Sequence, residues 1–244
     1  MADILVFLTA TVHCGETPQV KRCDPEQREQ DYLRAFRHWL SLKCNRDILF
    51  CENSSADLSA FHAVAATDAR TESSVRLVSF AGNDGAQSYG KSYGEIEMLR
   101  YAFKTFPELR NYQYIIKVSG RYVVRNGSDL VCRIRRMTAD LICDMHRNLT
   151  WGDTLTVAFK PHIALSHLIP FQEEIDDTRG ALIEHLMARC VHRTLVAGGS
   201  WAPLPCTPYR DGVSGTWNTP QRDSLSRRVK QDIKRRVAAW IYRY

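Results

Sequence analysis

Four apolar runs alternating with amphipathic segments constrain this chain more than any other feature. Residues 3–9, 47–51, 75–80 and 114–118 read as buried strands. Between them, residues 25–42, opened by Asp24 as an N-cap, place Tyr32, Phe36, Trp39 and Leu40 on one helical face. Residues 57–66 read as a second helix, and residues 95–106 as a third, with Met98, Leu99, Ala102 and Phe103 along it. Parallel strands need crossover connections, which are usually helical, so the expectation is an α/β domain with a mostly parallel sheet. Ligands in such sheets bind at the carboxyl ends of the strands, which directs attention to residues 9–14, 52–55, 81–95 and 119–122. The second half is less regular, with strands expected at 139–143 and 155–159, a helix at 180–195 and a loop at 198–220. Residues 1–221 are read as one domain, because no linker interrupts them.

Charge is unevenly placed. The chain has 244 residues, 44% apolar and 25% charged, with 33 basic and 27 acidic side chains. Residues 222–244 hold eight of the basic and two of the acidic ones, which leaves a neutral body with 25 of each sign. A neutral body argues against nucleic acid as the partner and for one basic appendage with a partner of its own. In that appendage Leu225, Val229, Ile233, Val237 and Tyr244 share one helical face with Trp240 or Ile241. A basic amphipathic helix of this kind fits an anionic membrane surface; the alternative is a helix docked on the domain by its apolar stripe. No apolar run reaches the ~18 residues that span a bilayer. The first apolar stretch lacks a basic flank and a cleavage site, so the expected location is cytoplasmic, peripheral on the inner membrane face, with the eight cysteines reduced.

Three motifs carry chemistry. Gly85-Ala-Gln-Ser-Tyr-Gly90-Lys91-Ser92 matches the phosphate-loop pattern, with Lys91 for the terminal phosphates and Ser92 for magnesium. Residues 81–84 separate it from its strand, however, whereas such a loop turns directly off one. The overlapping Gly90-Lys91-Ser92-Tyr93-Gly94-Glu95 puts a cation at a helix start, which suits a diphosphate. Lys117 lies inside an apolar strand and needs an anionic partner, either Glu52, Glu95 or a ligand phosphate. Just beyond it, Arg121 has a planar fork that can hold a phosphate through two bonds.

Taken in order, Leu8-Thr9, Cys51-Glu52-Asn53-Ser54, Gly90-Lys91-Ser92-Tyr93-Gly94-Glu95 and Ile116-Lys117-Val118-Ser119-Gly120-Arg121-Tyr122 resemble bacterial glycosyltransferases of surface-polysaccharide synthesis over roughly residues 3–125. The resemblance implies a GT-A-like, Rossmann-type domain that takes a nucleotide-sugar donor and a glycan or glycolipid acceptor, with no other cofactor. Most GT-A enzymes end the fourth strand in an Asp-x-Asp pair that holds a divalent metal. Here Ser119-Gly120-Arg121 stands instead, so protein cations replace the metal and no metal ligands are assigned. By this resemblance Thr9, Glu52 and Asn53 contact the nucleoside, while Lys91, Tyr93, Glu95, Lys117, Ser119 and Arg121 surround the phosphates. Arg121 stabilises the departing phosphate. An inverting transfer also needs a base; Glu184, in the apolar stretch 182–187, is preferred over Glu174 and Asp177. Two other classes remain: a phosphate-loop kinase or NTPase, and a non-enzymatic α/β interaction module tethered by its tail.

Overall fold

A computed structural model of the chain describes residues 4–42, 47–67 and 74–222, together with Val229, Asp232, Ile233 and Val237. The first half alternates as expected: β1 (Ile4–Ala10), α1 (Pro25–Ser41), β2 (Asp47–Glu52), α2 (Ser59–Ala66), β3 (Val75–Ser79), α3 (Asp84–Tyr89), α4 (Lys91–Thr105) and β4 (Tyr114–Ser119). The second half continues with β5 (Val123–Val124), α5 (Gly127–Ile134), β6 (Leu141–Ile142), β7 (Met145–His146), β8 (Trp151–Gly152), β9 (Thr156–Phe159), α6 (Pro161–Ile163), α7 (Ile183–Val196), β10 (Trp201–Ala202), β11 (Arg210–Val213) and β12 (Pro220–Arg222).

Seven strands form one sheet in the order β10-β6-β9-β4-β1-β2-β3. Strands β4, β1, β2 and β3 are mutually parallel, while β9 runs antiparallel to β4. The result is the α/β domain with a mostly parallel sheet that the alternation implies. Strand β1 is buried along its whole length because both its faces are covered. Ile4, Val6 and Leu8 pack with Tyr32, Phe36 and Trp39 of α1, whereas Leu5 and Phe7 pack with Ile96, Leu99 and Phe103 of α4. The two-residue period of the strand thus feeds two separate cores, one on each side. On the α1 side Phe50 lies 4.5 Å from Phe61 and 5.6 Å from Phe36, ring centre to centre. Full burial of each such ring stabilises the fold by about 1.5–3 kcal/mol. Helix α1 begins where its sequence says it should: the Asp24 side chain accepts from the Gln27 amide at 3.0 Å, and Pro25 opens the first turn.

Several boundaries differ from the sequence reading. Helix α4 starts at Lys91 rather than residue 95, and α3 precedes it over residues read as loop. Gly85 to Tyr89 are therefore helical, with a break at Gly90 before the next helix, so the phosphate-loop reading is corrected: no loop springs from β3 to wrap a phosphate. Segment 198–220, read as loop, contributes β10 to the large sheet and β11 to a three-stranded sheet, β12-β11-β5. These strands are two to four residues long and lack a strand-length apolar run. Most of the predicted C-terminal helix lies outside the described residues. Val229, Asp232, Ile233 and Val237 are helical, the three apolar ones are about half exposed, and Asp232 accepts from the Thr207 hydroxyl at 2.5 Å. No helix among the described residues is long and apolar enough to cross a membrane.

Candidate functional site

The chain leaves β1 toward β2 on one side and later returns to place β4 on the other, so the sheet order reverses between β1 and β4. At such a reversal the connections diverge and leave a crevice at the carboxyl ends of the two strands. Here that crevice is a cleft with a cavity volume of about 50 Å³, lined by Thr9, Ala10 and Thr11 after β1 and by Ser119, Gly120 and Arg121 after β4. The two strand ends are stitched together by the Gly120 amide, which donates to the Thr9 carbonyl at 2.9 Å. A Cβ at position 120 would lie 2.6 Å from that same oxygen, so only glycine permits the approach.

Arg121 projects from this junction. Its Nε is buried without a hydrogen-bond partner. Its contacts are aromatic and polar: the guanidinium carbon lies 6.0 Å from the centre of the Tyr122 ring, and the Tyr122 hydroxyl bonds to it. The carboxylates whose fields reach it, Glu95 and Asp31, are paired elsewhere, Glu95 with Lys117 and Asp31 with Arg22 at 2.7 Å. Among the described residues no carboxylate lies within ion-pair distance of Arg121. Two further cations line the same cleft. Lys91, the first residue of α4, donates to the Thr216 hydroxyl at 2.5 Å. Arg28 is buried and donates to the carbonyls of Thr11 (2.6 Å) and Arg22 (2.8 Å) and to the Tyr32 hydroxyl (3.2 Å), all neutral oxygens. Three cations and one already paired carboxylate give the cleft an excess of positive charge, which an anion would balance.

Of the residues singled out in the sequence, Thr9, Lys91, Glu95, Ser119 and Arg121 line this cleft. Lys117 does not. It is 2% exposed, with its ammonium bonded to Glu95 and to the Thr154 carbonyl at 2.8 Å, so the buried cation finds its partner inside the protein. Glu52 and Asn53 are fully buried and engaged. The Glu52 carboxylate accepts from the amides of Val12 (2.9 Å), Ser54 (2.8 Å) and Ala56 (3.1 Å) and from the hydroxyls of Ser54 and Ser79. Asn53 accepts from the Thr11 hydroxyl at 2.6 Å. Both residues shape the loops after β1 and β2, and neither lines the cleft. Tyr93 turns from the cleft; its ring lies 5.1 Å from that of Tyr89, and its hydroxyl reaches Glu173 at 3.5 Å.

The amino end of α4, expected to receive a phosphate, is already served by an internal anion. Asp177 is buried and accepts from the Ser92 amide at 3.1 Å, while Gly90, at φ 100°, brings the backbone against its side chain. Burial raises the Asp177 pKa above the ordinary carboxylate value despite that bond. Glu184, in the first turn of α7, is likewise raised, first by burial and further by the charges of Glu95 and Asp177, while Lys91 acts in the opposite sense. A carboxyl with a raised folded-state pKa contributes stability that is full at acidic pH and is lost as pH rises through that raised value. Glu184→Gln removes the dependence, so relative to wild type the variant should gain stability as pH increases from about 4 to 7. Urea unfolding at several pH values checks this, and parallel stability curves would refute it.

Sequence reading missed Arg28, Tyr32 and the segment around Gly215. Arg28 carried a signal: it stands four residues before Tyr32 on the stripe that continues through Ala35, Phe36 and Trp39, so a charge was due to be buried there. Gly215 reaches the cleft from a remote turn and carried none.

The sequence matches no protein-family model and no curated protein. Among solved structures it is similar to a cytidylyltransferase from Leptospira borgpetersenii serovar Hardjo-bovis, at 10% identity over 85% of this chain and 78% of that one, with a TM-score of 0.48. Galactosyltransferase LgtC, solved with donor and acceptor sugar analogs, matches at 11% identity over 81% and 73% of the two chains, TM-score 0.47. A mannosyltransferase from Pyrobaculum calidifontis, solved with GDP-Man and Mn2+, matches at 13% identity over 82% and 53%, TM-score 0.44. Likeness at this distance assigns no activity to the chain.

Proposed function

We propose that this protein is a GT-A-like glycosyltransferase that moves a sugar from a nucleotide-sugar donor to a glycan or glycolipid acceptor. The observation that carries the reading is Arg121, a guanidinium with a buried, unpartnered Nε and no carboxylate beside it, placed at the strand ends where the sheet order reverses. A cation held in this way awaits an anion, and a diphosphate supplies one. The resemblance of the motifs around Lys91 and Arg121 to surface-polysaccharide glycosyltransferases supports the choice of substrate class.

In the proposed reaction the acceptor hydroxyl oxygen bonds to the anomeric carbon while the bond from that carbon to the phosphate oxygen breaks. Arg121 and Lys91 stabilise the charge that develops on the departing nucleoside phosphate. In an inverting transfer the base we propose for the acceptor proton is Glu184, which lies outside the cleft lining in the first turn of α7 and feels the charges of Glu95, Lys91 and Asp177. A divalent ion would need carboxylate or imidazole donors. The cleft offers Arg28, Lys91, Arg121 and a Glu95 engaged by Lys117, a set that does not fit one. We therefore assign the phosphate charge to protein cations.

The basic segment 222–244 is proposed to hold the enzyme on anionic membrane, where a glycolipid acceptor would reside. The half-exposed Val229, Ile233 and Val237, four residues apart, support an apolar face for it. Flotation with vesicles containing anionic lipid, weakened by salt, is the expected behaviour.

Thermal-shift screening of the full chain against uridine, guanosine, cytidine and thymidine nucleotide-sugars, with and without EDTA, tests the donor claim. One nucleotide class should raise the melting temperature regardless of EDTA, because a ligand of the folded state stabilises it. No stabilisation by any donor, combined with strongly salt-dependent binding to DNA or RNA, would favour the interaction-module reading instead.

A further inference from the structure

The turn between β11 and β12, residues 214–219, reaches the cleft through Gly215 and offers neutral oxygens to the polar groups around it. The Gly215 carbonyl accepts two consecutive amides, from Lys21 at 2.9 Å and Arg22 at 3.1 Å. The neighbouring Thr216 hydroxyl accepts from the Lys91 ammonium at 2.5 Å. The Gly215 backbone also packs on Arg121, so closely that a Cβ there would fall 2.3 Å from Nη1 and 2.4 Å from Nη2. Two outer ties hold the turn: Arg22 donates to the Asn218 side chain at 3.0 Å, and the Lys21 ammonium lies 5.4 Å from the Trp217 ring centre. With this strap in place the cavity is about 50 Å³. Small-molecule sites run to about 300–1,000 Å³, so a nucleotide-sugar enters only if the strap lifts.

Two successive amides converging on one oxygen form a concavity suited to an anion, and here they stand beside an ammonium and a guanidinium. We propose that residues 214–219 are a displaceable stand-in for phosphate, and that the Lys21 and Arg22 amides, with Lys91 and Arg121, receive the donor diphosphate once the strap leaves. This rests on the anion-binding reading of the cleft and deepens it by naming backbone groups of the 20–22 loop as part of the phosphate site. No side-chain motif could mark them, because the donors are main-chain.

The test uses the full chain and inorganic pyrophosphate in EDTA-containing buffer. Titration calorimetry compares wild type with Thr216→Val, which removes the oxygen held by Lys91, and with Asn218→Gly. The second change cuts the tie to Arg22 while tolerating the left-handed backbone at that position, φ 51°. Both variants should bind pyrophosphate about 5–10-fold more tightly, because a strap that competes less leaves more of the protein able to bind. In 15N spectra of wild type the Lys21 and Arg22 amide signals should move on saturation. Should pyrophosphate bind in an Arg121-dependent way with those amides unmoved, or with neither variant tighter than wild type, the strap proposal is wrong while the cleft reading stands. If none of the three proteins binds pyrophosphate, both fall.

Discussion

Arg121→Met should weaken nucleotide-sugar or pyrophosphate binding by about a hundredfold while leaving the empty protein at least as stable as wild type. The binding loss follows from removing two charge-assisted hydrogen bonds to phosphate, together about 3 kcal/mol. The stability follows from what the residue does without ligand. Its Nε is buried and unpartnered, and the neighbouring carboxylates are paired with Lys117 and Arg22. An unsatisfied buried donor costs roughly 1–3 kcal/mol, so a methionine of similar length relieves a burden in the apo state. A structural arginine would behave in the opposite way, melting lower on substitution. Calorimetric titration alongside thermal unfolding of the same variant separates the two. Binding that survives Arg121→Met and demands magnesium or manganese would overturn the assignment of phosphate charge to this side chain.

The second large effect concerns stability alone. Glu95→Ala leaves the Lys117 ammonium with only the Thr154 carbonyl as a bonded neighbour, in a site where the lysine is 2% exposed. Breaking a buried pair by removing one partner costs about 3–5 kcal/mol, because the remaining charge keeps its desolvation penalty. Lys117→Met alone should cost less, since the Glu95 side chain is 21% exposed and lines the cleft. The double variant should recover most of the loss, as replacement of a whole buried pair by apolar and neutral groups is commonly near neutral. Urea unfolding of the four proteins forms a double-mutant cycle. Simple additivity would show that the pair is not coupled and that Lys117 is free for another anion.

The alternation of apolar runs was enough to give the sheet and its helices in the first half, because each run must be covered on both faces and each amphipathic helix supplies a cover. The same pattern failed between residues 198 and 222. There β10, β11 and β12 are short and hold their places through ladders to β6 and β5 rather than through their own hydrophobic period. Site legibility followed a similar division. Arg121 was legible because a charge directly after a buried strand has few explanations. Lys117 was legible as a buried cation in need of an anion, with Glu95 among three named partners, and the fold settled which one. Glu52 shows the limit of residue type: a carboxylate at a strand end looks alike whether it faces a ligand or, as the fold places it, five internal donors.

By itself the sequence determined the strand-helix order, the strand ends at which the cleft lies, and the presence there of lysine and arginine. These are local matters, set by residue period and by the cost of burying charge. Tertiary structure alone decided which cations remain unpaired. Asp177 arrives from far along the chain to cap α4, Glu95 takes Lys117, and the 214–219 turn settles over Arg121 and Lys91. Pairing of charges is decided by distances of a few ångströms between segments remote in sequence, and Coulomb energy in a buried site varies too steeply with those distances for residue type to reveal the outcome.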